Sequence, residues 1–190
     1  MNAPVPAKKT GASLNPCRVL CADPPWRFGD SLPGKKRGAS KHYACLTVDQ
    51  IARVPLPPLA DDAVLILWKV AAMPDEALFV CRAWGFKPKA ELVWVKTKRK
   101  GLRVPRLGMG RQVRNCHETA IIATRGRGAE RLSMSEPSVV FAERSEHSRK
   151  PTAAYMLIQR LYAGPYVELF ATIEREGWSC FGSSLGKDHP

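Results

Sequence analysis

The segments Val64-Leu65-Ile66-Leu67-Trp68, Ala120-Ile121-Ile122-Ala123-Thr124 and Val139-Val140-Phe141-Ala142 are apolar at almost every position. A strand with one face in water alternates apolar and polar residues, so unbroken runs of this length mark strands covered on both sides. Runs of this kind predict six strands, over residues 18–22, 63–69, 91–96, 119–124, 138–142 and 166–171. Helices are predicted between them over 48–54, 74–84 and 151–161, the two longer ones opening on a proline, whose missing N–H has no partner to lose in a first turn. Strand and helix in alternation imply an α/β sandwich, a mostly parallel sheet flanked by helices, with ligands bound beyond the carboxyl ends of its strands.

With 190 residues and 45% hydrophobic content the chain suits one globular domain, expected over 17–190 behind a flexible leader at 1–16. Thirty Lys plus Arg against seventeen Asp plus Glu leave a formal charge of +13, an excess that points to a polyanionic partner, nucleic acid before membrane. No stretch approaches the roughly 20 consecutive apolar residues of a spanning helix, so no membrane partner is expected. The positive charge gathers in two segments without apolar periodicity, 27–41 and 97–114, expected to be basic loops. Lys35, Lys36, Arg37, Lys98, Arg99, Lys100, Arg103 and Arg106 are the expected contacts to a nucleic-acid backbone, which give affinity without sequence preference. Six scattered cysteines form no CxxC pair and sit mostly in apolar runs, which fits a reduced cytoplasmic protein with neither a disulfide framework nor a metal.

Directly after the first predicted strand stands Asp23-Pro24-Pro25-Trp26. An aspartate before two prolines is often only a stiff turn, but a carboxylate, a fixed carbonyl and an aromatic can also grip a planar ring bearing an amine. The tetrad, with HYACLTVDQI (42–51), DDAVLILW (61–68), AWGFK (83–87), LVWVK (92–96), HETAIIATRG (117–126), EHSRKP (146–151), VELF (167–170) and GWSCFG (177–182), resembles in order and spacing the DPPW-motif adenine-N6 methyltransferases. That is the family of the catalytic subunit of the eukaryotic messenger-RNA adenosine methyltransferase, and the resemblance runs from about Val19 to Leu185.

The resemblance implies a Rossmann-like methyltransferase fold, with the DPPW segment ahead of the donor-binding strand, and S-adenosylmethionine as methyl donor. Asp23 and the Pro24 carbonyl would accept the two hydrogens of the adenine amine, Trp26 or Pro25 would stack on the ring, and Tyr43 resembles a second base contact. Asp23, Glu168, Phe170 and Arg175 fall on the donor side, and His117-Glu118 matches a segment where eukaryotic members carry a lysine that meets the donor carboxylate. Ser183 and Ser184 stand where the family usually shows Asn followed by Gln or Glu reaching the ribose. Glu146 to Pro151 reads first as a capped helix start, with Ser148 the candidate cap, and second as the source of a donor or phosphate contact from Lys150. The expected reaction is methylation of adenine N6 in DNA with loose or short sequence specificity. Two alternatives stay open: an RNA adenosine methyltransferase, and a nucleic-acid-binding module that has lost its donor, which the short Ser183-Ser184 pair would allow.

Overall fold

A computed structural model of the chain describes residues 15–28, 45–98, 105–108, 112–144, 149–182 and 185. Its strands are β1 (Cys17–Ala22), β2 (Leu59–Lys69), β3 (Lys87–Thr97), β4 (His117–Arg125), β5 (Val139–Glu143), β6 (Tyr166–Leu169) and β7 (Trp178–Phe181). The helices are α1 (Val48–Ala52), α2 (Pro74–Ala83) and α3 (Thr152–Leu161). One sheet holds all seven strands in the order β5-β3-β4-β2-β1-β6-β7. β1 pairs in parallel with β2 and β6, β6 with β7, and β3 with β5, whereas β4 is antiparallel to both its neighbours, β2 and β3. Every strand except β4 therefore points its carboxyl end at one edge, and β4 brings its amino end there.

Because successive side chains in a strand point to opposite faces, the sheet sorts its apolar residues into two cores. Leu20 and Ala22 of β1, Leu65 and Leu67 of β2 and Ile121 of β4 face α2, with Ala77, Val80 and Cys81. Val19 and Cys21 of β1, Val64, Ile66 and Trp68 of β2 and Ala120 and Ile122 of β4 face α3, with Ala154, Tyr155, Leu157 and Ile158. Helices on both faces make this a Rossmann-like α/β sandwich, as the unbroken apolar runs require.

All six predicted strands are present, and β2 and β3 reach further back, to Leu59 and Lys87. β7 is an addition: Trp178-Ser179-Cys180-Phe181 is short and half polar, and it is a strand because β6 pairs with it. Its end is tightly built, since a Cβ on Gly182 would run into the Ala171 carbonyl oxygen. α1 stops at Ala52, two residues early, but carries a capping box in which the Thr47 hydroxyl accepts from the Gln50 N–H and the Gln50 side chain accepts from the Thr47 N–H. Pro74 opens α2 as expected, whereas Pro151 is the N-cap of α3 rather than its first helical residue, and no side chain bonds the cap. Ser148 lies outside the described residues. Among the described residues no helix is long and apolar enough to cross a membrane.

Candidate active site

β1 ends at Ala22, and Asp23 is the next residue beyond the carboxyl edge. Strand alternation carries it to the face that holds α3. The two prolines force a tight turn, in which the Trp26 backbone N–H donates to the Pro24 carbonyl at 2.9 Å. One lone pair of that carbonyl, expected to meet substrate, is thus taken up by the turn, which leaves it the other. The chain returns beside the turn at Leu46, whose N–H donates to the Pro25 carbonyl at 2.8 Å.

Trp26 departs from its expected role. Its ring is 4% exposed, packed in the core on the α2 side, and its indole N–H donates to the Trp68 carbonyl at 3.0 Å. A buried ring with its one donor committed is a plug that ties the turn to the end of β2, not an open stacking plate. Pro25, half-buried, keeps the exposed position beside the carboxylate.

Asp23 is partnered by Lys150, just before α3. Lys150 Nζ lies 2.5 Å from Asp23 Oδ2 and 3.1 Å from Glu118 Oε2, and 5.3 Å above the ring centre of Trp68. Glu118 in turn binds Lys96 of β3 at 2.6 Å. The result is a row of alternating charges, Asp23, Lys150, Glu118 and Lys96, laid across the sheet edge. Its inner cation is nearly enclosed, the Lys150 side chain 9% exposed, while the Asp23 side chain is 28% exposed.

The charges act on one another. Burial pushes the Asp23 carboxyl above the ordinary aspartate range; Lys150 pulls against that without cancelling it, and the like charge of Glu118 adds to it. Burial also works against the Lys150 ammonium, but Asp23 and Glu118 together outweigh it and hold Lys150 above its ordinary range. Glu118, which burial would raise, is brought below its ordinary value by Lys150 and Lys96.

The remaining expected residues divide sharply. His117, one position before Glu118, points to the opposite face and is exposed. The cation beside Asp23 is therefore Lys150, and the residue that reaches it from this segment is Glu118, whereas the resemblance implies a donor contact at His117. Glu168 lies on the α3 face of β6 but is 6% exposed, and both oxygens are engaged within the protein: Oε1 by the Tyr155 hydroxyl at 2.6 Å, Oε2 by Arg175 Nε at 3.5 Å. Arg175 is spent on this cluster, its guanidinium 3.4 Å from the Tyr155 ring centre. Glu168 and Arg175 thus form a closed internal pair rather than an open donor contact. Phe170 follows β6 with φ of 63°, a left-handed conformation unusual for an aromatic residue, at the edge where ligands are expected.

Lys98 and Arg106 are exposed at the same edge. Pro105 bridges Thr97 antiparallel, and Arg106 N–H donates to the Lys96 carbonyl at 2.6 Å, so the basic segment departs from and returns to the end of β3. Tyr43, Lys35, Lys36, Arg37, Arg99, Lys100, Arg103, Ser183 and Ser184 lie outside the described residues.

The family model of MT-A70 matches residues 17–184. The chain belongs to the MT-A70 family. Its MT-A70 relatives include the human N(6)-adenosine-methyltransferase catalytic subunit METTL3, 29% identical over 175 residues that make up 90% of this chain and 28% of that protein. The Arabidopsis thaliana N(6)-adenosine-methyltransferase MT-A70-like is 28% identical over 171 residues, 88% of this chain and 23% of that protein. The type II methyltransferase M.MunI of a Mycoplasma species is 25% identical over 188 residues, 88% of this chain and 77% of that protein. The chain thus spans about a quarter of the length of these adenosine methyltransferases and most of the length of M.MunI.

Proposed function

We propose that this chain transfers a methyl group from S-adenosylmethionine to the N6 amine of adenine in DNA. The reading is carried by the largely enclosed Asp23 carboxylate, held by a proline-stiffened turn at the ligand edge of an MT-A70 domain and paired with Lys150. DNA is assigned as the polymer on the likeness to the type II methyltransferase M.MunI, 25% identical over 188 residues. The +13 charge, with Lys98 and Arg106 beside the site, supports a polyanionic substrate.

The exocyclic nitrogen of adenine is a weak nucleophile because its lone pair is delocalised into the ring, so the protein's task is to favour a pyramidal nitrogen by holding its hydrogens. Asp23 accepts one hydrogen and the free lone pair of the Pro24 carbonyl accepts the other; Pro25 packs on the ring, with Tyr43 as second base contact. The proton the nitrogen sheds has Asp23 as its nearest acceptor, and passes on to water. A target base in a duplex must first leave the stack, at a cost of roughly a few kcal/mol, so single-stranded or distorted sites react faster.

S-adenosylmethionine supplies an electrophilic methyl group on a sulfonium. The residues present fit it: a carboxylate and an ammonium side by side at the ligand edge complement an amino-acid zwitterion, Asp23 toward its ammonium and Lys150 toward its carboxylate. Phe170 and the segment that continues into Ser183 and Ser184 are assigned to the nucleoside part. Glu168 and Arg175 are left to their internal pair.

The test is methyl transfer from labelled donor to duplex DNA, single-stranded DNA and RNA, run beside Asp23→Asn, with nucleoside analysis of the product. N6-methyladenine on DNA, lost in the variant, is the expected result. Product on RNA alone would move the assignment to RNA. A folded protein that neither binds donor nor makes product would be the donor-less binding module.

A further inference from the structure

Four charged side chains meet at the sheet edge, yet the proposed reaction uses only two, Asp23 and Lys150. The other two come from different strands with no chemical step to perform. Glu118 stands at the amino end of β4, which is at this edge only because β4 runs against its neighbours. Lys96 stands near the carboxyl end of β3. Lys150 has a long, flexible side chain, and the described groups that meet its ammonium all belong to other elements. What faces that ammonium is Asp23 beyond β1, the Trp68 ring of β2 and Glu118 of β4. Asp23 in turn adds its charge to the field at Glu168 of β6. Glu118 has its second oxygen on Lys96 at 2.6 Å, so it is held from both sides.

We propose that Glu118 and Lys96 are positioning residues: Lys96 orients Glu118, and Glu118 holds the Lys150 ammonium at the point where it pairs with Asp23 and receives the carboxylate of the methyl donor. The donor part of this inference rests on the methyltransferase reading. Without Glu118 the Lys150 ammonium turns to solvent or to nucleic-acid phosphate, and Asp23 loses a fixed partner. Lys96 acts through Glu118 and has no separate effect on the donor. Its charge lies one residue before the basic segment, but it is spent on Glu118 rather than on phosphate.

Two measurements on the full chain test this. In protein labelled with nitrogen-15 lysine, Lys150 should give a slowly exchanging ammonium signal at neutral pH, assigned by its disappearance in Lys150→Arg. That signal should vanish in Glu118→Gln, a variant of nearly the same shape whose folding is checked by thermal unfolding. In calorimetric titration with S-adenosylhomocysteine, Glu118→Gln should weaken binding roughly tenfold or more, the scale expected when a charge-assisted hydrogen bond is removed. Lys96→Met should weaken it less, and the double variant should bind no worse than Glu118→Gln alone, because two residues acting in series do not add.

An ammonium signal that survives in Glu118→Gln, an unchanged affinity in that variant, or full additivity of the two substitutions would each overturn the inference. Full additivity would give Lys96 a contact of its own. If the unaltered protein binds no S-adenosylhomocysteine, the donor reading fails, while the ammonium signal still decides whether Glu118 holds Lys150.

Discussion

Asp23 has to be ionised to accept hydrogens from an amine, yet its enclosure and the neighbouring Glu118 both favour the protonated form. The sign of the consequence follows directly. A carboxyl raised above its ordinary value is lost as a base at a higher pH than an exposed aspartate, so the acidic limb of kcat/KM should lie above the normal aspartate range. Lys150→Met, which removes the opposing ammonium, should move that limb upward again, as read from rates at a series of pH values. Asp23→Asn keeps the shape and loses the charge, and should lower kcat by about a hundredfold or more. Glu168 makes a separate prediction about stability. Burial raises its carboxyl, with Tyr155 and Arg175 opposing and Asp23 adding, so the folded state binds this proton more tightly than the unfolded chain. Its contribution is complete below the ordinary glutamate value and is lost as pH rises through the folded value. Glu168→Gln has no such loss, so its melting temperature relative to the unaltered protein should climb as pH rises above the ordinary glutamate value.

At the scale of elements, Gly182 ties the end of β7 to the turn after β6. Any Cβ there meets the backbone carbonyl of Ala171, which no rotamer can relieve. Gly182→Ala should therefore part β7 from β6 or shift the turn, at a cost on the order of 3 kcal/mol, read as a fall in melting temperature of several degrees. The same region marks where sequence reading stops. The central strands were legible because Leu65, Ile66 and Leu67 leave no choice but burial on both faces. β7 was not, because Ser179 and Cys180 become strand residues only through a partner already in place. The site divides likewise. Asp23 could be found because its prolines are adjacent in the chain. Lys150 and Glu118 could not be joined to it: residues 23, 118 and 150 share no spacing rule, and only the reversal of β4 brings the middle one to the edge. For Glu168, a carboxylate in an apolar strand signals function or pairing equally, and Tyr155, which pairs with it, is contributed by a different element.

For the whole molecule the governing quantity is charge. If the exposed cations at the carboxyl edge of the sheet track a phosphate backbone, binding to DNA should weaken steeply with salt, log K falling against log salt with a slope of about −0.9 per phosphate contact. Neutralising Lys98 or Arg106 should reduce the slope by about one each and weaken all sequences alike, which filter binding across a salt series would show. Methylated positions mapped on a long DNA should accordingly follow a short motif or none; a long fixed site would contradict this.

The bond from the Trp26 indole to the Trp68 carbonyl fastens the turn bearing Asp23 to the end of a central strand. Many enzymes carry their reactive groups on segments that open independently of the rest of the structure. Here the amide of Trp26 should exchange with solvent deuterium only as fast as those of β2, so the turn bearing Asp23 comes apart only when the sheet does.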